Sequence, residues 1–176
     1  MKLLLSLMVA FLMAGCGYSP ASHYAKNVVG ESVSTEVVIS MEDPQNTVII
    51  KDAVDTAIIT KFRTALVSKN ASQTHLKFVI SSVGFTPLRY DTNGYVMTYR
   101  TTVSMGIQRT STTKKRSYSV AGMYDFSIEP NAIISDQARF EAIRQSSQKA
   151  IDSFIAQVAA EGIRPSMDQN LTGGQP

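Results

Sequence analysis

A long run of alternating residues constrains the fold of this 176-residue chain more than any other feature. Between Tyr95 and Gln108, one set of alternate residues is mostly apolar or aromatic and the other is mostly polar. The apolar set is Tyr95, Met97, Tyr99, Thr101, Val103, Met105 and Ile107. Because strand side chains point alternately to opposite faces, the pattern predicts a long strand with one buried face. Residues 118–128 alternate in the same way and form its predicted partner strand.

Two helices are predicted on either side of these strands. Within residues 50–69 an apolar residue recurs every four positions, which gives one apolar helical face. These residues are Val54, Ile58, Phe62 and Leu66. The second helix is predicted to begin at Ser135, whose hydroxyl can cap it, and to end at Gly162. Its core-facing stripe is Phe140, Ile143, Ser147, Ile151, Phe154 and Val158.

The remaining elements are two shorter strand signals and a turn. Residues 33–41 predict a first strand, which ends before the Asp43-Pro44 turn. A strand starting near Leu76 changes its apolar phase between Ile80 and Val83, which predicts a β-bulge. Pro87 marks the end of that strand or a sheet edge. The pair Asn93-Gly94 predicts a hairpin turn into the long strand.

The predicted order is therefore β-α-β-β-β-α, an α+β fold. The economical arrangement is a four-stranded sheet with both helices packed on one face. The opposite face carries Thr, Ser, Arg and Gln, so it is predicted to be polar. One domain is expected over residues 33–163, followed by a disordered tail over 164–176.

The N-terminus has the pattern of a bacterial secretory signal. Lys2 is followed by an apolar run and then by Ala14-Gly15-Cys16. The run is too short to span a bilayer, and Cys16 stands where a lipobox places its acylated cysteine. We expect residues 1–15 to be a signal peptide, Cys16 to be the lipid attachment site, and 16–32 to be a flexible tether. The alternative is an ordinary signal peptide followed by a free thiol.

Few kinds of chemistry are open to this sequence. It has a single Cys and two His, which exclude an intramolecular disulfide and any metal site built on several cysteines. It has no phosphate-binding glycine motif and no nucleophile elbow, so we expect no enzyme activity, no metal and no cofactor. The formal charge of +3 is too small to suggest nucleic-acid binding.

A group of basic residues is the candidate binding site. The predicted loop between the two long strands contains Arg109, Lys114, Lys115 and Arg116, and no acidic residue lies between Asp91 and Asp125. Such a loop suits phosphate groups, which Arg and Lys bind through charge-assisted hydrogen bonds. A solvated loop whose charges only discourage aggregation is the alternative.

The chain resembles the LptE family of lipopolysaccharide-assembly lipoproteins. The resemblance lies in Cys16-Gly17-Tyr18, in Asn-Gly-Tyr-Val-Met-Thr-Tyr-Arg at 93–100, in Tyr124-Asp125-Phe126, and in the order of elements. It implies a non-enzymatic lipoprotein on the periplasmic side of the outer membrane. Residue 17 is Gly and not the Asp of an inner-membrane retention signal, which agrees with that location. The resemblance further implies a plug inside the LptD β-barrel that binds lipopolysaccharide through basic residues. The alternative is a lipoprotein subunit of another envelope lipid-trafficking or assembly machine.

Overall fold

The computed structural model describes residues 26, 28–38, 44–112 and 114–172, and for 44–46 and 163–172 it describes the backbone alone. The predicted signal peptide and Cys16 lie outside the described residues. The strands are β1 (Ser32–Val38), β2 (Ala65–Leu66), β3 (Thr74–Tyr90), β4 (Val96–Ser111) and β5 (Lys115–Ser127). The helices are α1 (Pro44–Ala57), which continues into a π-helical turn at Ile58–Phe62, and α2 (Asp136–Thr172). A short 3₁₀ turn, Lys69–Ala71, precedes β3.

The strands form one mixed sheet in the order β2-β1-β3-β4-β5. β1 is parallel to both β2 and β3, whereas β3, β4 and β5 are joined as antiparallel neighbours. The predicted α+β class and order of elements are confirmed. The two-residue strand β2, which pairs with Ser32 and Val33, adds a fifth strand to the four that were predicted.

The details of β3 follow the sequence signals. Its register against β4 shifts between Ile80 and Ser82, where the predicted bulge lies, and again after Pro87. Pro87 lies beyond Val79, the last residue of β3 that pairs with β1, so the missing N–H falls on an edge portion of the strand. The Asn93-Gly94 turn is also observed: Gly94 has φ of +87°, and Asp91 accepts hydrogen bonds from the backbone N–H groups of Asn93 and Tyr95.

The core lies between one face of the sheet and the two helices. Val103, Met105 and Ile107 of β4 are buried there, as the alternation predicted. Phe154 of α2 packs against Phe62 and Phe78, with ring centroids 5.9 and 6.3 Å apart. Four further residues of the predicted α2 stripe are buried, namely Ile143, Ser147, Ile151 and Val158, whereas Phe140 is 39% exposed.

The predicted C-terminal ends of both helices are wrong. The first helix stops at Phe62 because Arg63 adopts a left-handed conformation (φ 52°), and Leu66 then joins β2 instead of the helical face. The second helix passes through Gly162 and runs to Thr172. A glycine inside a helix costs only about 1 kcal/mol of stability, so a helix can end at a glycine but can also continue through it. The helical backbone thus covers most of the predicted tail, and 173–176 lie outside the described residues.

Neither described helix is both long enough and apolar enough to cross a membrane.

Candidate functional site

Two surfaces of the described chain are candidates for binding. The first is the end of the sheet at which β1, β2, β3 and β5 begin and β4 ends, and we call it the tether end. The second is the sheet face that carries neither helix, which we call the open face.

Arg109 does not lie in a loop, as was predicted, but in β4. It continues the buried series of Val103, Met105 and Ile107, and only 3% of it is exposed. Its Nη1 donates to the carbonyl oxygen of Val28 (2.8 Å) and its Nη2 to Oε1 of Glu161 (2.9 Å). The guanidinium is therefore committed to internal partners, and its geometry suits a structural role better than ligand binding.

Glu161 is the centre of a small polar cluster that sequence reasoning missed. Besides Arg109, it accepts a hydrogen bond from the Tyr118 hydroxyl at 2.5 Å and lies 3.3 Å from Nε of Arg116. Burial, together with this hydrogen bond to the carboxylate, raises the pKa of Tyr118 to about 12. The cluster joins β4, β5, α2 and the segment before β1 at one point.

The three other predicted basic residues do come together at the tether end. Lys114, Lys115 and Arg116 lie where β4 turns into β5, and all three are exposed. The turn is tighter than predicted, because the N–H of Ser111 already donates to the carbonyl oxygen of Lys114 at 2.9 Å. We call residues 114–116 the basic tip. It can offer the ammonium groups of Lys114 and Lys115 to an anion without any change in the fold, whereas Arg116 is already paired with Glu161.

The open face is built mostly from small and polar side chains, with Val38, Val79 and Met123 as exposed apolar residues among them. Ser104 lies between Ser82 of β3 and Ala121 of β5, and a Cβ added at Gly84 or Gly106 would meet no atom within 4 Å. The middle of this face is consequently flat, so that another surface can approach the strands closely.

Charged pairs stand toward either end of the open face. At one end Arg100 makes two hydrogen bonds to Asp125, at 2.7 and 2.8 Å, which lower the pKa of that carboxyl. At the other, Glu36 faces Lys77, His75 and Lys69, and the hydrogen bond from Lys77 is the main cause of its lowered pKa. These pairs are solvent-exposed, so they add polarity to the face more than stability.

The described residues contain no group of three or more His, Cys, Asp or Glu placed to hold a metal ion.

A family model described as "LptE: Lipopolysaccharide-assembly" matches residues 35–158 of the chain. The chain belongs to the LptE family. The match spans β1 to the middle of α2 and includes all of β4 and β5, which carry most of the open face and the basic tip. As an LptE family lipoprotein it works in lipopolysaccharide assembly and is not an enzyme, and this role is consistent with a location in the cell envelope.

Three of the solved structures to which the chain is similar are described as lipoproteins. A rare lipoprotein B from Shewanella oneidensis is 12% identical, with a TM-score of 0.42 over 82% of this chain and 99% of that one. A lipoprotein from Caulobacter crescentus, described as putative, is 10% identical, with a TM-score of 0.47 over 81% and 98%. A lipoprotein B from Nitrosomonas europaea is 14% identical, with a TM-score of 0.45 over 74% and 83%. No curated protein matched the sequence significantly.

Proposed function

We propose that this LptE family member is anchored in the outer membrane through Cys16 and sits as a plug inside an LptD-like β-barrel. In this role its basic tip binds phosphate groups of lipopolysaccharide during delivery to the outer leaflet. The open face is the observation that carries the proposal. It is a mostly polar surface formed by β1, β3, β4 and β5, in a family that works in lipopolysaccharide assembly.

The open face matches the inner wall of a barrel in two respects. Barrel lumens are polar, so a plug needs groups that form hydrogen bonds with the wall. Ser82, Thr102 and Ser104 supply hydroxyls. The small side chains between them let two sheet-like surfaces approach closely, whereas the apolar face of the same sheet is already filled by α1 and α2.

The basic tip matches the ligand in charge. The phosphate groups of lipopolysaccharide are anionic, and Lys and Arg bind phosphate through short charge-assisted hydrogen bonds. Lys114 and Lys115 are exposed, and the salt-bridge geometry of the described residues gives them no carboxylate partner. Arg109, by contrast, is retained as a residue that holds the hairpin in place.

Co-purification tests the plug. The full-length chain with Ser104→Trp places a bulky ring in the middle of the open face, and Ala156→Trp places the same ring on the exposed side of α2. We expect the first variant to lose a large envelope barrel protein and the second to retain it, at equal expression. Retention by both variants, or recovery of a different envelope complex, would contradict the plug.

Binding of purified lipopolysaccharide tests the ligand. Lys114→Glu with Lys115→Glu leaves the Glu161 cluster in place, and Arg89→Glu with Lys149→Glu changes the net charge equally at other positions. We expect only the first pair to weaken binding, by at least tenfold, and unfolding curves check that both variants remain folded. Equal affinity of the two variants would remove the basic tip from the proposal.

A further inference from the structure

Charge is separated between the two ends of the sheet. The basic residues at the tether end are the half-buried Lys26 and the exposed Arg63, Lys69, Lys114, Lys115 and Arg116. The described acidic residues there are Glu31, beside Lys26, and Glu161, which is already bonded to Arg109. Lys69 also reaches Glu36, at 3.7 Å. Arg116 is paired with Glu161 as well, so Arg63, Lys114 and Lys115 are the basic residues of this end that have no carboxylate partner among the described residues, and the tether end has a net positive charge.

The opposite end has a different character. It consists of the turn between β3 and β4 and the start of α2, and it carries Asp91, Glu129 and Asp136 beside Arg89 and Arg139. Positive charge is therefore concentrated at one end of the strands and is not spread over the domain. A potential of one sign at one end orients a molecule above a charged surface.

The chain also enters the fold at the cationic end. Val28 is bonded to Arg109, and the N–H of Gly30 donates to the carbonyl oxygen of Lys26 at 2.7 Å. Lys26 lies ten positions after Cys16, a distance that at full extension is at most about 35 Å. An anchor at Cys16 would hold the basic tip near the headgroups of the membrane that contains its acyl chains.

We propose that the tether end docks on the anionic phospholipid headgroups of that membrane. The inference rests on the lipid anchor of the proposed function and adds a second, electrostatic contact to it. Attraction of basic residues to an anionic bilayer falls off within a Debye length, so it acts once the tether has brought the end close. The strands then stand upright on the bilayer, which leaves the open face free at the side of the domain.

Vesicle binding tests this docking. The mature chain with Cys16→Ala has no lipid and no thiol, since Cys16 is the only cysteine in the sequence. We expect it to bind mixed vesicles of phosphatidylglycerol and phosphatidylcholine but not vesicles of phosphatidylcholine alone. The binding should weaken as the salt concentration is raised. Lys114→Glu with Lys115→Glu should weaken binding by at least 25-fold, because removal of each basic residue costs about fivefold and the added carboxylates are repelled by the vesicle. Arg89→Glu with Lys149→Glu is the control of equal charge and should weaken it far less.

The orientation is tested with a polarity-sensitive fluorophore. In the Cys16→Ala chain, Thr112→Cys places it beside the basic tip and Thr92→Cys at the opposite end, and both positions are exposed. We expect an emission shift with phosphatidylglycerol vesicles at 112 only. A shift at 92 alone, at both positions or at neither would overturn the docking.

Further outcomes separate this inference from the proposed function. Binding to phosphatidylcholine vesicles that contain lipopolysaccharide, with none to phosphatidylglycerol, would overturn the docking and leave the ligand proposal standing. The mass of the N-terminal peptide from cells shows independently whether Cys16 is acylated. An unacylated Cys16 would remove the anchor, and the docking would fall with it. Barrel co-purification is measured separately and is unaffected by either vesicle result.

Discussion

Arg109 Nη2 lies 2.9 Å from Glu161 Oε1, and this pair joins the fourth strand to the final helix across 52 residues of sequence. The side chains are 4% and 22% exposed, so the ion pair is largely removed from water. Through the bond from Arg109 to Val28, the same guanidinium also holds the segment from which the tether emerges. One buried arginine thus fixes the relative positions of the tether, the basic tip and α2.

Replacing Arg109 by Met should destabilise the fold. The change leaves Glu161 partly buried with one cation fewer and leaves the Val28 carbonyl without its donor. Breaking one side of a buried pair costs about 3 kcal/mol. Arg100→Met, which breaks the exposed pair with Asp125, is the matched control and should have a small effect. Chemical denaturation measures both, and equal losses would show that Arg109 has no special role.

Tyr118 should make stability depend on pH at the alkaline end. Its pKa is raised from 10.0 to about 12 in the folded protein, so the neutral hydroxyl is favoured by folding. This contribution is fully present below pH 10 and is lost as pH rises through about 12. Tyr118→Phe should remove that part of the alkaline decline, whereas Tyr95→Phe, at a residue 45% exposed, should not. The free energy of unfolding of both variants, measured between pH 8 and 12, tests this prediction.

The strand pattern of this fold could be predicted because it depends on neighbouring residues. Alternation between Val103 and Ile107 reports directly which face is buried, and the phase change after Ile80 reports the bulge. Asn93-Gly94 determines its own turn through the positive φ of glycine. None of these features requires knowledge of residues far away in the sequence.

The features that were missed depend on distant partners. Leu66 fits the helical spacing that begins at Val54, but pairing of Ala65 with Ser32 draws it into the sheet. Arg109 was assigned to a loop because it is charged. It lies two positions after Ile107, so the alternation of the strand alone would have placed it on the buried face. Its partner Glu161 could not be found in this way, since nothing local links the two.

Phe154 should contribute more to stability than any other residue of its helix. Its ring is completely buried and contacts Phe62, Phe78 and Tyr118, the last at 5.1 Å between centroids. Phe154→Ala should cost about 4 kcal/mol, through lost burial and the cavity left behind. Phe140→Ala, on the same stripe but 39% exposed, should cost much less. Similar losses in thermal or denaturant unfolding would mean that the rings near Phe154 close the cavity.

Gly122 should be the least replaceable glycine of the sheet. It faces α2 where the helix crosses β5, and a Cβ there would lie within 3 Å of backbone atoms of Ser146, Lys149 and Ala150. Gly122→Ala would therefore have to push the helix off the sheet, and overpacking of this kind costs about 1 to 3 kcal/mol.

Gly106 supplies the control for that prediction. It lies in the neighbouring strand but points to the open face, where an added Cβ meets no atom within 4 Å. Gly106→Ala should leave the free energy of unfolding unchanged or raise it slightly, because alanine restricts the unfolded chain. The same substitution on the two sides of one sheet thus has opposite expected results, and denaturant unfolding of both variants shows which side α2 covers. Equal stability of the two variants would contradict the close packing of α2 on β5.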